Sequence, residues 1–176
     1  MLVAISVFGW LAWTSREEPG VGRVAGARPT NTTTSSISDE SYELLAAFRA
    51  PAYVPERAAP QSFQSAMALY RKQDYAGAAS ALRTVTNSAP GFDAAKFYLG
   101  VSLLMSGERI AGIEELRALT ESEDQPFLER ARFYLAKGLI AEHDVHRARQ
   151  QLESLIQQHG DFEKQAAALL DQIGRS

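Results

Sequence analysis

The chain of 176 residues contains no cysteine. That excludes disulfides, thiolate metal sites and cysteine nucleophiles. Positive charge is also short, with a net charge of −3. A nucleic-acid partner needs a basic face, so none is expected. No glycine-rich phosphate loop and no serine-nucleophile motif appears. His143 and His146 in His-Asp-Val-His bring only Asp144 as a third group, so a solvated loop is preferred to a metal site. Glu114, Glu115, Glu121, Glu123 and Asp124 form an acidic run best read as a solvated face. The expectation is a protein without catalysis and without a cofactor.

Long apolar runs are missing too. Residues 1–13 (MLVAISVFGWLAW) carry no charge. As a helix they would reach about 20 Å, against a bilayer core of about 30 Å. Trp10 and Trp13 followed by Arg16 have the pattern of a membrane-interface edge. Residues 1–14 are therefore read as part of a single-pass membrane anchor, with a buried or disordered apolar tail as the plain alternative. The soluble part is expected on the extracytoplasmic, periplasmic side, although Arg16, Arg23 and Arg28 would favour a cytoplasmic linker. Residues 15–38 hold Gly20, Gly22, Gly26 and the run TNTTTSS, which predicts a flexible tether. Residues 39–60 are read as a short helix over 39–49, stopped by Pro51, and then an extended stretch with Pro55 and Pro60.

The remainder, 61–176, is written as one pattern three times. Ala66, Leu69, Tyr75, Ala78, Leu82 and Val85 align with Gly100, Leu103, Arg109, Gly112, Leu116 and Leu119, and with Ala136, Leu139, Val145, Ala148, Leu152 and Leu155. The step is 34 residues from Ala78 to Gly112 and 36 from Gly112 to Ala148. Such a period predicts stacked helical hairpins, each a helix A and a helix B. The repeats span about 61–90, 91–125 and 126–160, and a final helix over 162–173 covers the last apolar edge. Helices are expected at 61–72, 75–88, 92–106, 109–122, 126–142 and 145–159. Ala66, Gly100 and Ala136 on the A helices, with Ala78, Gly112 and Ala148 on the B helices, would lie where the axes cross and bulk cannot be accommodated. Gly107 is expected in a left-handed A-to-B turn, with Gln73 and His143 in the same place.

Leu99-Gly100, Tyr75, Ala78 and Pro90 match the pattern of the tetratricopeptide repeat (TPR) family, which this stretch resembles. Ser62, Lys96 and Arg132 depart from it at the usual early aromatic position, with Phe63, Phe97 and Phe133 one residue later. The resemblance implies an all-α fold, an α-α superhelix of three repeats plus a capping helix. It also implies a concave face lined by the A helices that binds a protein or peptide. The residues expected on that groove are Phe63, Met67, Tyr70, Phe97, Val101, Leu104, Met105, Arg130, Phe133, Lys137 and Ile140. They are mostly apolar, which suits a hydrophobic peptide or helix. Core packing between A helices is the competing reading of the three phenylalanines. A further possibility is that residues 39–58 lie in the groove themselves. Two functional readings follow: a membrane-tethered TPR adaptor, or a structural part of a bacterial envelope assembly. The oligomeric state is not legible.

Overall fold

A computed structural model describes Glu43, Ala46, Ala47 and residues 49–53, 59–121 and 126–175. The expected anchor and tether, 1–38, lie outside the described residues. The described chain is all helical. Helices α1 (Gln61–Arg71), α2 (Tyr75–Ser88), α3 (Asp93–Ser106), α4 (Arg109–Ala118), α5 (Leu128–Ala141), α6 (Val145–Gln158) and α7 (Glu163–Arg175) follow in order, each packed on the next. No strand occurs among the described residues.

The turns inside each hairpin have a shared cause. Gln73, Gly107 and His143 all take positive φ, at 63°, 91° and 60°. A left-handed residue after a helix lets the next amide turn back onto the last orphan carbonyls. In the first hairpin Gln73 N–H donates to the Tyr70 carbonyl and Asp74 N–H to the Leu69 carbonyl, at 2.9 and 3.1 Å. The third repeats this with His143 to Ile140 and Asp144 to Leu139, at 2.9 and 2.8 Å. The same aspartates then start the following helix. Asp74 Oδ1 accepts from Gly77 N–H at 2.9 Å, and Asp144 Oδ1 from Arg147 N–H at 3.0 Å. One residue thus closes helix A and caps helix B.

The small residues sit where the recurrence placed them. Ala66, Ala78, Ala136 and Ala148 have no exposed surface. A Cβ on Gly112 would lie 2.8 Å from the Gly100 carbonyl oxygen and 2.9 Å from Leu104 side-chain carbons. One on Gly100 would lie 2.7 Å from Leu116 Cγ. Leu82, Val85, Leu116, Leu152 and Leu155 are buried on the B helices, and Leu119 is buried just past the end of α4. On α7, Ala166, Leu169 and Ile173 are buried, and α7 packs on α6.

Several boundaries differ from expectation. Helix α4 stops at Ala118, not at 122, because Leu119 and Thr120 tighten into bonds three residues back, to Leu116 and Arg117. Helix α5 begins at Leu128, not at 126, since Phe127 turns aside to stack on Phe97 at 5.2 Å between ring centroids. After α6 the chain turns through His159, which takes positive φ, 53°. In the expected helix over 39–49, Glu43 and Ala46 are helical, but Ala47 and Arg49 are not. Pro51 disfavours helix at the residue before it, and the Arg49 and Pro51 carbonyls accept from Tyr134 and Tyr70.

Candidate peptide-binding face

Helices α1, α3 and α5 present a continuous set of rings. Phe63 and Tyr70 on α1 meet Phe92 and Tyr98 of the second repeat, with centroids 4.8 Å apart for Phe63–Phe92 and 5.2 Å for Tyr70–Tyr98. Phe97 meets Phe127 and Tyr134 at 5.2 and 5.9 Å. Phe133 meets Phe162, ahead of α7, at 5.0 Å. Phe97–Phe127 is stacked, Phe133–Phe162 is tilted and the others are edge-to-face; stacked and edge-to-face ring pairs are favourable beyond the area they bury.

The chain's own residues 49–53 lie on this face. Tyr134 Oη donates to the Arg49 carbonyl at 2.8 Å, and Tyr70 Oη donates to the Pro51 carbonyl at 3.0 Å. The Tyr53 ring stands edge-on to Phe63 and Tyr98, at 5.7 and 5.5 Å. The stretch therefore runs from α5 across α3 to α1. Upstream, Ala46 is buried, and Glu43 pairs with Arg109 at 3.1 Å. Arg109 also approaches Glu142 at 3.9 Å. These exposed charges fix direction more than they stabilise.

Burial alters the two donor phenols. It raises the Tyr70 pKa above the usual value, with Tyr134, Tyr98 and Tyr75 adding to the shift. It pushes Tyr134 up to about 12, Tyr98 adding and Arg130 opposing. Both stay protonated donors across neutral pH. Burial also lowers the Lys137 pKa; its Nζ lies 5.9 Å from the Phe133 ring centroid. Arg130 is placed similarly over Phe127, at 5.9 Å.

Of the residues expected to line the groove, Met67, Phe97, Val101 and Ile140 have no exposed surface, and Phe63, Tyr70 and Leu104 almost none. They pack in the interior, and of them Phe63 and Tyr70 also meet residues 49–53. Met105, Phe133 and Lys137 are half-buried and Arg130 is exposed, so these four make up the accessible part of the set. Sequence reasoning missed Tyr98 and Tyr134. The signal was there: Phe97-Tyr98 recurs as Phe133-Tyr134 at the repeat spacing. The first ring of each pair meets a phenylalanine just ahead of a later helix, Phe127 or Phe162, and Tyr134 also delivers a hydroxyl.

Among the described residues, no helix is long and apolar enough to cross a membrane, and no three His, Asp or Glu side chains gather as metal ligands. No protein-family model matches the chain, and no curated protein matches it.

Proposed function

We propose that this chain is a non-catalytic protein-interaction module of the tetratricopeptide kind, binding an apolar peptide on the face of its A helices. Support for the kind comes from three hairpins with small residues at their crossings and left-handed residues in their turns. The single observation that carries the binding role is the seating of residues 49–53. Two ring hydroxyls hold main-chain carbonyls, and one aromatic side chain stands among rings. A face that holds extended chain by its backbone is built for peptide. The membrane tether is part of the same proposal and rests on the composition of residues 1–13.

The test is site-specific photocrosslinking in cells that produce the protein. Phe97 is unsuitable for a disruptive change because a charge there would break the core. A photoreactive side chain goes instead at Phe133, half-buried on the binding face, and separately at Ile110 on α4. Ile110 is the one exposed large apolar side chain among the described residues, 62% accessible. The proposal expects a discrete adduct from position 133 that Lys137→Glu weakens, and none from position 110. Equal labelling from both, or none from 133, contradicts it.

A further inference from the structure

The resident stretch has the features of a stand-in ligand. It contributes little to the interior: Arg49 and Ala52 are exposed, and Ala50, Pro51 and Tyr53 are only half-buried. Its hold on the face consists of two carbonyls, two residues apart, and one ring two residues beyond the second. Carbonyls are common to every peptide, so only Pro51 and Tyr53 give the contact its chemistry. Proline restricts its own backbone and that of the residue before it to extended conformations, which lowers the entropy lost when the stretch is held. The fit is also incomplete. Among the described residues, Tyr53 Oη is buried without a hydrogen-bond partner. Beside it lies a cavity of about 190 Å³, lined by Ala52, Tyr53, Phe63, Tyr98, Phe127 and Arg130 among others. A buried hydroxyl left unpaired is costly, and an unfilled cavity forfeits contacts. A partner peptide that displaces the stretch and whose own side chains fill that space would compete with it.

We infer that the face is a receptor for an extended Pro-x-Tyr peptide of a partner protein, and that residues 49–53 occupy it as an internal competitor. The inference rests on the interaction-module reading and adds both the ligand chemistry and its control. Tyr70 and Tyr134 hold the ligand's backbone at the positions of Arg49 and Pro51, and the rings of Phe63 and Tyr98 select its tyrosine. The partner binds only the fraction of molecules whose own stretch has lifted, so its apparent affinity is reduced by that fraction.

The probe is a fluorescent synthetic peptide copying residues 47–55 (AFRAPAYVP), titrated by anisotropy into the full chain and into full-chain Tyr53→Ala. Removing the resident ring should tighten peptide binding by about ten-fold, because the open fraction rises. Tyr53→Leu, which keeps apolar bulk among the rings, should give a smaller gain and serves if alanine prevents folding. The peptide carrying alanine for its tyrosine should not bind any of these proteins. Adding Tyr70→Phe and Tyr134→Phe to the Tyr53→Ala protein should abolish the gain while leaving the rings in place. Equal peptide affinity in the unmodified chain and in the folded Tyr53 variants, or no binding to any of them, overturns the inference. A crosslinked partner at position 133 together with such a failure would leave the interaction-module reading standing. Peptide binding without any partner at 133 would do the reverse.

Discussion

Gly100 and Gly112 face each other where α3 crosses α4, and neither has room for a methyl group. In the other two hairpins alanine occupies both positions. Gly112→Ala should cost about 1–3 kcal/mol in a urea melt, the usual range for overpacking a filled core. Gly91→Ala, with open space around it, should change stability by less than about 0.5 kcal/mol. Equal effects would contradict the crossing geometry. This much was legible because small residues recurred at a fixed step. The left-handed turns were legible by the same route: only Gly107 announces one, and Gln73 and His143 were found by aligning with it. His159 has no such counterpart in the other repeats.

Between residues and the whole stand the helix ends. Asp144 caps α6, and its carboxyl is held below the usual carboxylate range by the Arg147 backbone N–H, with the Arg147 side chain adding at 2.6 Å. A carboxylate with a depressed folded pKa stabilises above its unfolded pKa, and the contribution is lost as pH falls through the folded value. Asp144→Ala should therefore cost about 1 kcal/mol at neutral pH. The difference from the unmodified chain should shrink on titration below about pH 4. Denaturant melts at a series of pH values check both; a gap that persists unchanged into acid contradicts the assignment. These caps were missed from sequence because the turn is only three residues long. The aspartate that caps the second helix is the same residue that closes the first, and a search for helix starts sees only the start. The early end of α4 was also illegible, because its apolar spacing continues through Leu119 although the backbone has already tightened.

At the scale of the molecule, the A-helix face and residues 49–53 form one unit, and their junction is made of phenols. Half of the arrangement could be read in advance: that residues 39–58 lie in the groove was one of the possibilities. The pairing itself could not, because a hydroxyl reaching a carbonyl 85 residues away leaves no periodic trace. Tyr70 and Tyr134 have folded pKa values raised above the unfolded value of about 10. The unfolded chain releases those protons first, so stability is intact below about pH 10 and falls as pH rises toward 12. Tyrosinate absorbance should show a fraction of the tyrosines ionising only as helical circular dichroism is lost. Complete ionisation near pH 10 with helices intact would contradict the burial of these hydroxyls.

The seating of Tyr53 decides whether the face is occupied by its own chain. A nuclear Overhauser spectrum of the full chain, with labelled aromatic residues, reads it directly. With centroids 5.7 and 5.5 Å from Phe63 and Tyr98, the Tyr53 ring protons should give cross-peaks to both rings at strengths that do not vary with protein concentration. Cross-peaks between Phe63 and Tyr98 without any to Tyr53 would show an empty face and contradict the account.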